Sequence, residues 1–211
     1  MFLFRLDAGP KIGFGHLFRC RSIAQSLNIK GQSCIMIGPK KIYCENLDKK
    51  LFKKWIPMRW SNSTIDAEKI CKIGRKFNTN KVILDDYRID EIYQLILKKN
   101  KFKWMQFETR FNATILADII LNASPGTKKT NYNSNILNKN VKFLLGPNYA
   151  PLRTDFKKIK RRNSKRAVKN ILLTFGGGDD KGVIKFILTN LIEHLSVEKK
   201  NKNYIWSIKS K

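Results

Sequence analysis

The sequence predicts an α/β fold of Rossmann-like type, in which helices cover both faces of a parallel sheet. Short apolar segments alternate along the chain with segments whose apolar residues recur at helical spacing. The apolar segments contain few polar positions, which is typical of strands that are buried on both faces. A glycine-rich turn follows the first apolar segment, where folds of this type lead from a strand into a helix.

The predicted elements follow one another in a regular order. Residues 2–6 form the first strand, and a helix begins at Leu17 and stops near Lys30 and Gly31. The next elements are a buried strand at 33–38, a helix at 65–77, a strand at 81–87, a helix at 91–99 and an extended segment at 103–108. Two further apolar segments, at 117–124 and 141–147, complete the sheet.

The pattern of strand, glycine loop and helix restarts near residue 169, which predicts two domains. We expect a complete amino-terminal domain at 1–155, a basic linker at 156–168 and an incomplete nucleotide-binding domain at 169–211. The linker contains the run KKIKRRNSKR, which is typical of a solvated segment. One unit of strand, helix and strand cannot bury both faces of a sheet, so we expect the second domain to be truncated.

Composition and charge narrow the class of protein. The 211 residues are 42% apolar, which is enough for a substantial core. Neither a membrane-spanning apolar run nor a signal-peptide pattern occurs, so we expect a cytoplasmic protein. The four cysteines lack metal-ligand spacing, and we expect free thiols. The net charge of +27 comes from lysines spread along the whole chain, so we attribute it to a composition bias and do not expect nucleic acid as a partner.

The stretch DAGPKIGFGHLFRC at 7–20 places His16 where a glycine-rich turn runs into a helix. The positive end of the helix dipole disfavours a charged imidazolium, so we expect a neutral ring that can accept a proton. The preceding glycines let a substrate approach the backbone closely. These properties are what a general base needs near neutral pH. The alternative is that His16 only caps the helix or bonds a loop carbonyl.

Two other stretches place polar groups at the carboxyl ends of predicted strands, the edge of an α/β sheet at which ligands bind. Asp85, Asp86 and Tyr87 end the middle strand, although Asp86 could instead cap the next turn and Tyr87 could pack. The loop FGGGDD at 175–180 has the composition of a phosphate-binding turn, or equally of a tight turn between a strand and a helix. GFGH lacks the third glycine of a dinucleotide fingerprint and no Walker lysine is present, so we expect no NAD or ATP.

Taken together, these stretches resemble the nucleotide-sugar hydrolases of pseudaminic acid biosynthesis. The resemblance is carried, in this order, by FRLDAGPKIGFGHLFRCRSIAQSL, VILDDYRID, ADIILNAS, LLGPNYAPLRTDF and ILLTFGGGD. These hydrolases are similar to MurG-like glycosyltransferases of the GT-B fold, in which two Rossmann-like domains face each other. The resemblance implies hydrolysis of UDP-2,4-diacetamido-2,4,6-trideoxy-β-L-altropyranose to UDP and the free sugar.

The resemblance also implies roles for individual residues. His16 matches the proposed base that activates water at the anomeric carbon, and Tyr87 matches a tyrosine of the same site; we add Asp85 as a third catalytic candidate. We further predict substrate-binding residues within or beside these stretches, namely Arg5, Asp7, Gly13, Gly15, Asn122, Arg153, Gly176 and Gly177. Neither a metal nor a cofactor is expected, because UDP is a good leaving group whose charge hydrogen-bond donors can stabilise.

Two alternatives to the hydrolase remain open, a related enzyme and an inactive protein. A related GT-B glycosyltransferase would use the same histidine to deprotonate an acceptor hydroxyl instead of water. An inactive remnant would keep the fold without turning over substrate. In the resembled family the second domain holds most of the nucleotide. A separate chain that supplies the rest of this domain is therefore a candidate partner.

Overall fold

A computed structural model of the chain describes residues 1–132, 135–159, 173 and 182–197. The chain divides into two units, Met1–Arg162 and Asn163–Lys211. The division falls inside the predicted linker, while the predicted domain bounds themselves stay a prediction. The predicted glycine loop at 175–180 lies outside the described residues.

The described part of the first unit is built on seven parallel strands. They are β1 (Phe2–Leu6), β2 (Cys34–Gly38), β3 (Lys54–Pro57), β4 (Lys81–Asp85), β5 (Lys103–Phe107), β6 (Ile119–Asn122) and β7 (Lys142–Leu145). The strands form one sheet in the order β3-β2-β1-β4-β5-β6-β7. Every pairing in it is parallel. The prediction of an α/β, Rossmann-like parallel sheet is therefore confirmed.

Each of the first four strands is followed along the chain by one α-helix. The helices are α1 (Gly15–Ile29), α2 (Asn46–Leu51), α3 (Ser63–Lys76) and α4 (Glu91–Lys99), with α5 (Val183–Val197) in the second unit. Side chains cap α3 and α4: the Asn62 side chain accepts the Ile65 N–H at the start of α3, and Asp90 accepts the Tyr93 N–H at the start of α4. A capping box between Glu45 and Asp48 begins α2. None of the helices in the described ranges is both long and apolar enough to cross a membrane.

The apolar core lies on both faces of the sheet because the strand side chains alternate in direction. Phe4 and Met36 pack with Leu17 of α1 on one face. Leu3 and Ile37 pack with Ile70 of α3 on the other face, to which α4 also contributes. Burial on both faces explains why the strands read as nearly continuous apolar runs in the sequence.

Strand order determines which loops meet at the carboxyl edge of the sheet. Because β1 lies between β2 and β4, the turn after β1 and the start of α1 stand beside the end of β4. The ends of β5 and β6 follow next along the same edge. This edge is where parallel α/β sheets bind ligands.

Candidate active site

His16 lies in the first turn of α1, as the second residue of the helix. Phe14 precedes the helix without a side-chain capping bond, and the first turn contains no acidic residue. The ring Nδ1 of His16 lies 2.7 Å from Oδ1 of Asp85, the last residue of β4. His16 therefore bonds a carboxylate from the neighbouring strand instead of capping its own helix or bonding a loop carbonyl.

The hydrogen-bond network fixes the tautomer of a neutral His16 ring. Asp85 accepts two N–H groups from Arg19, so it is a carboxylate with only acceptor atoms. Nδ1 also lies 3.1 Å from Nη2 of Arg19, so it stands near both an acceptor and a donor. The carboxylate contact is the shorter of the two, and a bare ring nitrogen at 2.7 Å would set its lone pair against those of the oxygen, so we assign the proton to Nδ1, which donates it to Asp85. The lone pair of the neutral ring is then on Nε2, where it can accept a proton.

Arg19 neutralises Asp85 from one helical turn beyond His16. Its Nε donates to Asp85 Oδ2 and its Nη2 donates to Oδ1, in the paired geometry that a guanidinium offers a carboxylate. Burial would by itself lower the pKa of Arg19, but the hydrogen bonds and the charge of Asp85 outweigh it, and the pKa is raised. Asp85 thus holds the imidazole while its own charge is balanced by Arg19.

A cavity of about 210 Å³ opens beside the ring of His16. Its lining consists of Asp7, Ile12, His16, Asp85, Asp86, Tyr87 and Arg88. Tyr87 is half exposed and stands edge-on to His16, with the two ring centroids 5.2 Å apart. The structure therefore brings together four of the predicted site residues, namely Asp7, His16, Asp85 and Tyr87.

Arg88 organises the opposite wall of this cavity. It donates through Nη2 to Asp7 at 2.8 Å and also binds Asp86, which accepts the Arg88 backbone N–H at 3.0 Å. Burial would raise the pKa of Asp86, but the hydrogen bonds and charge of Arg88 outweigh it and lower that pKa. Asp86 therefore caps the turn after β4, which was the alternative role for this residue, and remains charged.

The remaining predicted residues lie elsewhere. Arg5 is fully buried and donates from Nε and Nη2 to Asp66, both at 2.8 Å, so its guanidinium does not line the cavity. A Cβ added at Gly13 or Gly15 would meet no atom of the described residues within 4 Å, so the backbone there is open. Arg153 is exposed and stacks over Phe156.

The other predicted substrate-binding positions are Asn122, Gly176 and Gly177. Asn122 is almost fully buried, and both ends of its amide are used: Nδ2 donates to the Tyr132 hydroxyl and Oδ1 accepts the Ser124 N–H. Gly176 and Gly177 lie outside the described residues.

The chain is similar to an uncharacterised archaeal protein and to a solved glycosyltransferase structure. It is 26% identical over 191 residues to an uncharacterised protein of Methanocaldococcus jannaschii, covering 88% of this chain and 38% of the relative. It thus spans 38% of the length of that curated relative. No protein-family model matches the chain. It is also similar to a glycosyltransferase from Rickettsia africae, at 17% identity and a TM-score of 0.46, over 68% of this chain and 41% of that structure.

A larger apolar groove of about 470 Å³ lies beside α1 on one face of the sheet. Its charged residues, Lys81, Lys103 and Asp118, stand at or near the amino ends of strands. That is the sheet edge opposite His16, whereas parallel sheets bind ligands at the carboxyl edge. The smaller cavity is therefore the better candidate for a ligand site. In the part of the chain that the structure describes, no group of three His, Cys, Asp or Glu side chains could hold a metal ion.

Two cations of the site, Arg19 and Arg88, are not among the residues predicted from the sequence. Arg19 follows His16 by three residues, a spacing that puts both side chains on one face of a helix and that could have indicated their shared contact with Asp85. Arg88 carries no comparable signal, because its partner Asp7 is 81 residues away in the chain. Only the adjacency of β1 and β4 brings these two residues together.

Proposed function

We propose that this chain contributes the catalytic base of a nucleotide-sugar hydrolase that releases UDP from UDP-2,4-diacetamido-2,4,6-trideoxy-β-L-altropyranose, the reaction of the pseudaminic acid pathway. The observation that carries the proposal is the contact between His16 Nδ1 and Asp85, because it leaves Nε2 as the basic nitrogen beside a cavity. The choice of sugar rests on the resemblance of the sequence motifs.

In the proposed reaction a water molecule attacks the anomeric carbon of the sugar. The water gives one proton to Nε2 of His16 as its oxygen forms the new bond. The bond between the anomeric carbon and the phosphate oxygen breaks, and its electron pair leaves with UDP. Asp85 stabilises the imidazolium that forms, while its own position is held by the ion pair with Arg19.

The character of the cavity fits a sugar better than a diphosphate. The residues that line it include three with carboxylates, Asp7, Asp85 and Asp86. Among the described residues, Arg88 is the one positively charged residue in this lining. Carboxylates accept hydrogen bonds from hydroxyl and amide groups and repel phosphate oxygens. The volume of about 210 Å³ is below the roughly 300–1,000 Å³ of sites that hold a whole drug-sized ligand, so it suits one ring of a larger substrate.

Release of UDP from the nucleotide sugar tests the proposal directly. We expect the rate of UDP release by the His16→Asn variant to be about 10²- to 10⁴-fold lower than that of the wild type, which is the range that a general base contributes. His194→Asn is the matched control, since it removes the chain's other histidine. The assay is run with the protein alone and with a separately expressed second domain of the resembled family.

The result also separates hydrolysis from its alternatives. UDP release that does not depend on an acceptor sugar supports the hydrolase. Release only when an acceptor is added would make the protein a glycosyltransferase in which His16 deprotonates a hydroxyl. If neither condition releases UDP with the second domain present, the chain is an inactive remnant and the proposal is wrong.

A further inference from the structure

A second cavity lies at the carboxyl edge of the sheet, beside the ends of β5 and β6. Its volume is about 180 Å³, and its lining consists of Arg19, Phe107, Thr109, Leu121, Asn122, Ala123, Ser124 and Pro151. Arg19 also binds Asp85, which lines the cavity of His16. Arg19 therefore borders the second cavity, while its partner Asp85 borders the cavity of His16. The two cavities are neighbours that share this ion pair.

The Arg19 guanidinium is held rigidly with one end left unused. Nε and Nη2 donate to Asp85, and the ring of Phe107 lies under the guanidinium with its centroid 4.4 Å from Cζ. Nη1 has no hydrogen-bond partner among the described residues, and 28% of the side chain is exposed. Arg19 thus offers two fixed N–H donors that no described group of the first unit satisfies.

Two hydroxyl groups line the same cavity. Thr109 follows β5 and Ser124 follows β6, and both residues are exposed. In the described ranges neither hydroxyl has a hydrogen-bond partner. The Ser124 backbone is held by its N–H bond to Oδ1 of Asn122, at 3.0 Å, and Asn122 is in turn held by Tyr132. Asn122 therefore positions the loop, while Arg19, Thr109 and Ser124 keep donors available to a ligand.

Among the described residues, the second cavity lacks the carboxylates that line the first, and its one charged group, Arg19, is paired with Asp85 on the other side. Within the part of the chain that the structure describes, Arg19 is the only charged residue in its lining. The nearby carboxylate of Glu108 is buried and accepts hydrogen bonds from Nε and Nη2 of Arg110, so its charge is balanced. A guanidinium edge with two hydroxyls is the donor set that binds phosphate oxygens, since arginine matches the geometry of oxyanions.

We propose that Arg19, Thr109 and Ser124 form a phosphate-binding subsite next to the cavity of His16. The subsite itself is argued from its donors and charge; only the assignment of its phosphate to the leaving group of a nucleotide sugar rests on the proposed function. In that assignment the sugar occupies the carboxylate-lined cavity and the phosphate lies beyond Arg19. The scissile bond then passes close to the Arg19 and Asp85 pair that holds the base.

Binding of inorganic pyrophosphate and phosphate to the whole chain tests this subsite. The readouts are the dissociation constant from calorimetry and the backbone amide NMR shifts of Thr109 and Ser124. We expect Thr109→Val and Ser124→Ala each to weaken binding of pyrophosphate by about 10-fold or more, as is typical of a lost hydrogen bond to a charged group. The matched controls are Thr64→Val and Ser61→Ala, which remove exposed hydroxyls elsewhere. We expect acetate to bind at least about 10-fold more weakly than pyrophosphate.

The outcomes are distinct from those of the hydrolysis assay. The subsite is overturned if the Thr109 and Ser124 variants bind pyrophosphate like the two controls, if the shifts occur only at surface lysines, or if acetate binds as tightly. Loss of binding in those two variants supports it even if His16→Asn leaves UDP release unchanged, a result that would remove the proposed function alone. Conversely, a rate that depends on His16 with no effect of the two variants would retain the hydrolase and remove the subsite.

Discussion

Replacing Asp85 by asparagine tests the most specific feature of the site, the tautomer of His16. If the amide oxygen takes the place of Oδ2 and accepts from Nε of Arg19, the N–H₂ group takes the place of Oδ1 and faces Nδ1 of His16. Nδ1 must then accept a hydrogen bond instead of donating one, so the proton of the neutral ring moves to Nε2. The variant therefore reverses the tautomer and removes the lone pair from the nitrogen proposed to act as the base.

The size of the effect follows from the three hydrogen bonds that Asp85 accepts, one from His16 and two from Arg19. A hydrogen bond to a charged group contributes about 1.5–3 kcal/mol, so loss of the His16 bond lowers the population of the Nδ1–H tautomer about 10- to 150-fold. Arg19 also loses its counter-ion. Because 28% of its side chain is exposed and can be hydrated, we expect a loss of about 2 kcal/mol in the free energy of unfolding, less than for a fully buried pair.

The tautomer is measured by long-range NMR correlation between the ring nitrogens and the carbon-bound ring protons of His16. The spectra are recorded at a pH where the ring is neutral. Asp86→Asn is the matched control, because Asp86 is also nearly buried beside the cavity but makes no bond to His16. We expect Nδ1–H in the wild type and in the control, and Nε2–H in Asp85→Asn. A wild-type ring protonated on Nε2, or an equal change in both variants, would refute the tautomer and with it the assignment of Nε2 as the base.

Two further predictions concern stability, and urea unfolding measures both. Gly38→Ala should lower the free energy of unfolding by about 3 kcal/mol or more, because Gly38 has φ +125° and an added Cβ would stand 1.8 Å from the Leu6 carbonyl oxygen. Gly31→Ala, with φ +71° and no described atom within 4 Å of the added Cβ, should cost only about 1 kcal/mol; equal costs would contradict the steric argument. Arg88 lowers the pKa of Asp86 below its unfolded value of about 3.9, so this carboxylate stabilises the fold above about pH 4 and less as the pH falls. Asp86→Asn should therefore destabilise the protein most at pH 7 and progressively less as the pH falls below about 4, and a difference that stays constant as the pH falls would contradict the linkage.

Most of the sheet could be predicted because its strands are apolar on both faces. The predicted strand at 2–6 and the predicted helix at 91–99 agree with β1 and α4 at both ends. Two short elements, β3 and α2, are not among the elements predicted from the sequence. β3 is a four-residue edge strand with exposed or half-buried side chains, and α2 has only six residues, so neither gives a clear period. The predicted strand at 81–87 ends earlier, at Asp85, because Asp86 turns the chain by accepting the Arg88 N–H.

The amino-acid sequence by itself determined the alternation of strands and helices, and with it the place of His16 at the start of α1. These features depend on local periodicity and on a turn next to a helix, which short stretches of sequence record. Only the tertiary structure decided that His16 faces Asp85, 69 residues away, and that Arg5 pairs with Asp66 inside the core. Strand order decides such contacts, since a parallel sheet can place any strand beside β1 and the free energy of that choice is spread over the whole core.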